Sequence, residues 1–300
     1  MGSSPIFRIE KKKDSNEITF ESFLFPKPKR PLNPGSRSAL RFGRCRAGKE
    51  GNVMENEMTS KYKILNRDAI KYLAMLTMLL NHISTIFMQS GDLLAEIFLD
   101  LGYFTAITMC YFLVEGFEYT HSKEKYAMRL FVFALLSQIP YSLAFTQNGI
   151  LEFENLNMLF TLLVCFGILL VVERVTNKAL KIVYILALVF FSVVCDWAIL
   201  APVFTLLFIW SHRVKSREKY AFLFSMLLFG AFNFAGGLGR FPAQTNIIYA
   251  LGSMAGIALA GIVLMFFYNG KRMERAKIFS KWFFYLFYPV HLLILGLIRV

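Results

Sequence analysis

Long apolar runs separated by short polar breaks dominate the chain from residue 71 onward. A helix needs about 20 residues to cross a hydrocarbon core of about 30 Å, and helices are expected because every backbone polar group in lipid needs an internal partner. The runs predict nine membrane-spanning helices, at 71–90, 93–118, 127–146, 156–173, 179–195, 197–211, 220–235, 245–268 and 281–299. The predicted fold class is therefore all-α, a polytopic membrane helical bundle.

The positions of the Lys and Arg residues predict the orientation of this bundle. Beyond residue 58, all of them except Arg240 and Arg299 fall in or beside alternate breaks of the nine-helix arrangement. Basic residues are retained on the cytoplasmic side, so the N-terminus is predicted inside and the C-terminus outside a cell membrane. The same rule favours a helical hairpin that turns at Asp196, because the basic clusters before and after the hairpin must lie on the same side of the membrane.

Composition agrees with a membrane protein and sets the N-terminal region apart. The chain is 56% hydrophobic and 18% charged, with a net charge of +13, and its basic residues form no folded patch that would indicate nucleic-acid binding. Residues 1–60 are rich in Pro, Gly, Lys and Arg and lack periodicity, which predicts a disordered basic arm. Alternatively the reading frame is over-extended, with Met54 or Met58 as the initiator. Residues 61–300 then form the transmembrane domain.

Polar side chains recur at a similar depth in separate predicted helices. At about 1.5 Å per residue, His82, Gln138 and His291 lie roughly 14–16 Å from the cytoplasmic edge, and Asp196 lies roughly 22 Å from it. An ionisable group at such depth costs a few kcal/mol and usually faces the bundle interior or a wet cavity. Two interpretations of His82 stay open: a structural imidazole bonded to a neighbouring helix, or a catalytic base.

Other polar residues suggest how the predicted helices are arranged. One face of the first helix carries a row at helical spacing, a predicted track from the cytosol to the membrane centre: Lys71, Met75, Met78 and His82. Glu115 is predicted to pair with Arg129 or Lys125, since an unpaired buried carboxylate is costly. Asn157 is predicted to cap the fourth helix. The four cysteines show no paired spacing, and no metal site is predicted.

Four short motifs, in order, resemble the TraX family of membrane proteins. They are Lys-x10-His in the first helix, Glu-Gly-Phe at 115–117, Ser-Gln-Ile-Pro-Tyr at 137–141 and Phe-Tyr-Pro-x-His at 287–291. The resemblance runs from about residue 64 to residue 298. The named member of the family acetylates the amino group of pilin in conjugal transfer. The resemblance therefore implies an integral-membrane acyltransferase, with acetyl-CoA as the acyl donor and an amine or hydroxyl of a surface protein, glycan or lipid as the acceptor.

Roles for individual residues follow from this resemblance together with the polar layer. His82 is predicted to act as the general base. His291 is predicted to orient the acceptor or stabilise the oxyanion, and Asp196 to hold the acceptor at the outer side. The phosphates of acetyl-CoA are expected at the basic cytoplasmic face, near three cations: Lys71, Arg129 and Arg67.

Two departures from the family pattern favour an alternative function. Asn81 stands where the family tends to have Asp before the first-helix His, and Tyr103 follows Gly102 where the family tends to have Arg. Ile107 replaces a Pro of the same helix. A protein that has lost an acid and an Arg could keep the family fold without its chemistry. The alternative is a non-catalytic membrane carrier or structural protein.

Overall fold

The chain folds into helices throughout the part that the structure describes. This structure is a computed structural model that describes residues 63–146, 155–212, 214–273 and 277–299, so the predicted arm at 1–60 lies outside it. Its α-helices are α1 Arg67–Phe87, α2 Leu93–Tyr119, α3 Lys123–Phe145, α4 Met158–Arg174, α5 Lys178–Phe191, α6 Leu200–His212, α7 Lys215–Gly237, α8 Ala243–Ile262 and α9 Lys277–Arg299. A 3₁₀ turn at Ser192–Val194 follows α5, and a π-helical turn at Val263–Phe267 extends α8.

Each helix overlaps one predicted span, but the helices differ in length. Within the described residues, six helical segments are long and apolar enough to cross a membrane: Arg67–Phe87, Leu93–Tyr119, Lys123–Phe145, Ser216–Gly237, Ala243–Phe267 and Phe279–Arg299. The helices α4, α5 and α6 have 17, 14 and 13 residues, roughly 20–25 Å of helix. The membrane-protein class is thus supported, whereas nine crossings and the orientation stay predictions.

Helix α2 forms the centre of the bundle. It packs against α1, α4, α6 and α8, and Phe104, Ile107 and Cys110 are completely buried along it. Helix α9 packs against both α3 and α1, so the first and last helices of the described residues are neighbours. This packing brings α1 and α9 side by side at the level of the two predicted histidines.

Helix α4 begins inside the bundle, not at its surface. The side chain of Asn157 accepts a hydrogen bond from the Leu159 N–H, which confirms the predicted N-cap. The Asn157 amide also donates to the Ala134 carbonyl (2.8 Å) and to the Oε1 of Gln138 (2.9 Å). These partners lie in the middle of α3, so Gln138 and Asn157 join two helices and satisfy the polar start of α4.

The predicted hairpin between α5 and α6 is present and turns at Asp196. Its backbone pairs with the residues before α4, because the Asp196 N–H donates to the Leu156 carbonyl at 2.7 Å. Trp197 (φ 57°) and Ile199 (φ 61°) both adopt left-handed backbone conformations, which cost roughly 1–3 kcal/mol each for non-glycine residues. Such strain persists only where the surrounding structure imposes it, and here it turns Asp196 and Trp197 towards the bundle interior.

Candidate functional site

The two predicted histidines meet across the α1–α9 contact. The Nδ1 of His82 lies 2.8 Å from the Nε2 of His291, and the two ring planes are parallel within 3°. The exposed fractions are only 9% for His82 and 5% for His291. His82 and His291, which the sequence placed at the same depth in distant segments, therefore contact each other directly.

The hydrogen bonds of this pair assign the tautomers of both rings. The Nδ1 of His291 lies 2.7 Å from the Phe287 carbonyl oxygen. A carbonyl can only accept, so Nδ1 of His291 carries the hydrogen and, in a neutral ring, its Nε2 accepts. The Nδ1 of His82 must then donate to His291, which leaves the lone pair on the Nε2 of His82. This nitrogen has the state that a general base requires.

A cavity of about 350 Å³ lies beside His82. Its wall is largely apolar and aromatic, with a few polar groups, as expected for a small-molecule site. Its lining consists of Met78, Asn81, His82, Thr85, Leu99, Gly102, Tyr103, Thr105, Ala106, Tyr141, Phe145, Met158, Asp196, Trp197, Leu200, Phe229, Phe232, Asn233 and Tyr288. His82 and Asp196 thus face one cavity, while His291 lies behind His82 and is not among the lining residues.

This arrangement does not support the predicted contact of His291 with the acceptor or the oxyanion. One ring nitrogen of His291 is bonded to His82 and the other to the Phe287 carbonyl. Neither nitrogen is therefore left to donate into the cavity. The geometry instead gives His291 a positioning role, because it fixes the tautomer and the orientation of His82.

Aromatic rings form the cavity wall next to Asp196. Trp197 stacks on Phe229, with ring centroids 5.3 Å apart and planes 17° apart. Tyr103 meets both rings edge-on, at 5.9 Å from Trp197 and 4.7 Å from Phe229. Tyr103, noticed in the sequence only as a departure from the family, therefore contributes an apolar face and a hydroxyl where an Arg would contribute a charge.

Asn81 is held tightly at the edge of the cavity. Its amide donates to the Leu99 carbonyl at 3.0 Å, and a Cβ built on Gly102 would lie 2.2 Å from the Asn81 Cβ. Glycine at position 102 therefore allows α1 and α2 to approach closely at this point. The residue beside His82 is neutral and hydrogen-bonded to the backbone, so it supplies no charge to the imidazole.

A second polar cluster lies at the other end of the bundle, near the start of α1. The predicted pairing of Glu115 with Arg129 or Lys125 is wrong: the Nε of Arg67 lies 3.3 Å from the Oε2 of Glu115. The Tyr268 hydroxyl donates to the Oε1 of Glu115 at 2.7 Å. Because α1 and α2 run antiparallel, the first residue of α1 comes to lie beside the last turns of α2, a neighbour that sequence spacing does not reveal.

Four cations surround this cluster, which we call the basic end. The Nζ of Lys71 lies 5.0 Å from the centroid of the Phe284 ring, and the guanidinium of Arg129 lies 5.6 Å from that of Tyr126. Tyr126 is within electrostatic range of Arg67, Arg129 and Arg272. Two of the predicted cations, Arg67 and Arg129, therefore lie near one tyrosine together with Arg272, which the sequence interpretation did not single out. Lys71 is within electrostatic range of Arg67 and Arg272.

The basic end and the cavity lie in opposite halves of the bundle. Lys71 and His82 are about 16 Å apart along α1, from the helical rise. Met78 lines the cavity, but Met75, which lies between Lys71 and Met78 on the same face, is buried with 4% exposure. The row from Lys71 to His82 therefore faces the protein interior as predicted, although packed side chains fill the space between its ends.

The structure adds residues to the site that sequence reasoning missed. Tyr288, Tyr141 and Trp197 all line the cavity. Tyr288 stands three residues before His291 in the Phe-Tyr-Pro-x-His motif, which places both side chains on one side of α9. That spacing was visible in the sequence. The approach of Tyr141 and Trp197 depends on how α3 and the α5–α6 turn pack, and the sequence does not reveal this packing.

Fold and site together define a polytopic helical membrane protein whose buried polar centre joins α1 and α9. The chain belongs to the TraX family: the family model described as "TraX protein" matches residues 66–299. Over 237 residues it is 32% identical to the probable fimbrial assembly protein FimC, serogroup H1, of Dichelobacter nodosus. The matched region covers 75% of this chain and 92% of that protein. No solved structure matches the chain.

Proposed function

We propose that this protein is an acyltransferase of the cell membrane that moves an acetyl group from acetyl-CoA to an amine or hydroxyl acceptor. The observation that carries the proposal is the His82–His291 pair, in which the Phe287 carbonyl leaves the Nε2 of His82 with a lone pair beside the cavity. A general base needs this state, since it must take a proton from the acceptor as the acceptor attacks the thioester.

The donor would approach from the basic end. Acetyl-CoA is a polyanion, and Lys71, Arg129, Arg67 and Arg272 provide the cations for its phosphates. The thioester-bearing chain of acetyl-CoA would then follow α1 towards His82, and this path requires Met75 and Met78 to move aside. Methionine side chains are unbranched and adaptable, so such a passage can open without rearranging the helices.

The acceptor would enter the cavity from the side of Asp196. The Asp196 carboxylate lies on the cavity wall beside aromatic rings, among them Trp197 and Phe229. The similarity to a probable fimbrial assembly protein favours an acceptor connected with fimbrial or pilin-like surface structures. A glycan or a lipid of the cell surface is the other acceptor class that this chemistry allows.

Acetyl transfer by the full-length protein in detergent tests the proposal. Radiolabelled acetyl-CoA is supplied with membranes of a strain from which the gene has been deleted, so that they provide the unmodified acceptor. We expect His82→Gln to fold and to lose about 10²–10⁴-fold in kcat, since glutamine can hydrogen-bond but cannot accept the proton. His121→Gln, an exposed histidine between α2 and α3, is the matched control and should retain activity.

Two results would contradict the proposal. The first is that the wild-type protein transfers no acetyl group to any component of these membranes. The second is a His82→Gln protein that is folded and as active as the His121→Gln control. Either outcome would favour a structural role for the histidine pair.

A non-catalytic carrier or structural protein is the second candidate, and Asn81 is the observation that favours it. Its neutral amide beside His82 is bonded to the Leu99 carbonyl, so no carboxylate raises the basicity of the imidazole from that position. The two candidates differ in their response to acetyl-CoA. A ligand that binds only the folded state protects it against heat, so acetyl-CoA should raise the melting temperature of an enzyme and leave that of such a carrier unchanged.

A further inference from the structure

We propose that Tyr288 is a catalytic residue of this site, whose hydroxyl donates a hydrogen bond to the thioester oxygen as negative charge develops there. The inference rests on the proposed acetyl transfer. It starts from a gap in the site: acyl transfer gains from donors aimed at the oxyanion, and both ring nitrogens of His291 are already engaged.

The position of Tyr288 suits this role. Its side chain is 5% exposed and lines the same cavity as His82, and its ring centroid lies 5.7 Å from that of His291. One helix, α9, therefore places both the group that orients the base and a hydroxyl donor at the reacting centre. The pair is three residues apart, close to one helical turn.

The surroundings of the Tyr288 hydroxyl favour donation into the cavity. The backbone N–H of Met158, the first residue of α4, donates to the Tyr288 oxygen at 3.4 Å. An oxygen that already accepts from a helix N-terminus is polarised in the direction that strengthens its own O–H as a donor. Since the N–H occupies one side of the oxygen, the hydroxyl hydrogen can turn towards the cavity, whose wall also carries the Asp196 carboxylate.

Several of the other polar side chains of the cavity wall are less suitable donors. Four of them use a side-chain hydrogen to bond a backbone carbonyl of their own or a neighbouring helix: Asn81, Thr85, Thr105 and Asn233. For the two threonines this is the only hydrogen that the side chain can donate. Tyr288 is bonded to a backbone donor instead, so it keeps its hydrogen for the substrate.

The acceptor nitrogen or oxygen attacks the thioester carbon and forms the new bond, and its proton passes to the Nε2 of His82. The carbonyl π electrons move onto oxygen, where the Tyr288 O–H stabilises the charge by hydrogen bonding without transferring its proton. The carbonyl re-forms as the C–S bond breaks, and the departing CoA sulfur takes the proton from His82.

Tyr288→Phe in the full-length protein tests this role. With radiolabelled acetyl-CoA and the same acceptor membranes, we expect the rate at saturating acetyl-CoA to fall about 10²–10³-fold, the value of one oxyanion donor. The KM for acetyl-CoA should hardly change, because the bond forms only in the transition state. Tyr72→Phe is the matched control: it removes a tyrosine hydroxyl that is bonded to Ser280 between α1 and α9, and it should keep the wild-type rate.

The outcomes separate this inference from the proposed function. If the wild-type protein transfers acetyl groups and Tyr288→Phe does so equally fast, the inference is wrong and the proposed function stands. If wild type transfers none, the proposed function itself fails. If the rate and the melting temperature of Tyr288→Phe fall together, the hydroxyl merely supports the start of α4, which also overturns the role.

A second variant covers the case in which Tyr288→Phe does not fold. Incorporation of 3-fluorotyrosine at position 288 keeps the ring and the hydroxyl but makes the hydroxyl a stronger donor. A donor to the oxyanion then gives a higher rate. An unchanged or lower rate with this residue overturns the inference.

Discussion

Arg67 and Lys71 lie one helical turn apart on α1, yet their surroundings suit them to different tasks. The guanidinium of Arg67 is paired with Glu115 and donates to the Phe112 carbonyl at 2.9 Å. Withdrawing it would leave a buried carboxylate without its cation, which typically costs about 3–5 kcal/mol. The ammonium of Lys71 contacts the faces of Phe112 and Phe284, an interaction worth about 0.5–2 kcal/mol. Lys71 is therefore the better phosphate ligand, and Arg67 the better anchor.

We accordingly expect Lys71→Ala to raise the KM for acetyl-CoA about tenfold, equivalent to about 1.4 kcal/mol, with a smaller change in kcat. Phosphate contacts act alike in the ground and transition states, so their loss weakens binding more than chemistry. Initial rates over a range of acetyl-CoA concentrations measure both parameters. The KM of the wild-type protein should also rise with salt, because ions screen the attraction.

Lys219→Ala provides the control for this experiment. Lys219 is an exposed cation near the start of α7, with its ammonium 5.1 Å from the Tyr220 ring. Its removal changes the net charge by the same amount as Lys71→Ala. A KM that rises equally in both variants would indicate a general charge effect, and an unchanged KM in Lys71→Ala would place the phosphates elsewhere.

Between elements, small residues decide how closely the helices approach. A Cβ added to Gly256 in α8 would lie 2.1 Å from the backbone oxygen of Asp100 in α2. A backbone atom cannot turn aside as a side-chain end can, so the two helices would have to separate. The contact therefore depends on a missing methyl group, as in other tightly packed pairs of membrane helices.

Gly256→Ala is expected to destabilise the protein by about 1–3 kcal/mol or more, the usual cost of overpacking. Its melting temperature in detergent should fall clearly. Gly236→Ala in α7 is the control, because nothing lies within 4 Å of a Cβ at that position, and it should melt at or above the wild-type temperature. Equal melting temperatures for both variants would show that α2 and α8 do not pack this closely.

The sequence predicted the positions of the helices better than their neighbours. Apolar length located every helix of the described residues, and the helical rise gave His82 and His291 the same depth, because both properties depend on order along the chain. The partner of Glu115 was missed because lateral contacts between helices depend on packing. The spans predicted for α4, α5 and α6 were already short, and the structure supplies the reason: Asn157 and Asp196 find partners inside the bundle, so their turns need not reach water.

For the molecule as a whole, the basic end should face the cytoplasm. We expect a cysteine at Ser216, near the start of α7, to be shielded from an impermeant thiol reagent in intact cells. A cysteine at Leu238, the exposed residue after the same helix, should be labelled. Both are introduced into a chain without its native cysteines, and labelling is compared before and after the membrane is opened. The reverse pattern would invert the proposed entry sides of donor and acceptor.

The hydrogen bond between His82 and His291 joins residues 209 positions apart, one on the first described helix and one on the last. A ribosome adds about 5–20 residues per second, so roughly 10–40 s separate the synthesis of the two rings. During that interval His82 has no partner to hold its tautomer, and the emerging chain carries an incomplete centre. The centre is therefore completed only after α9 has been made, and a chain that stops before that helix carries Arg67, Lys71 and Arg129 of the basic end but no oriented base.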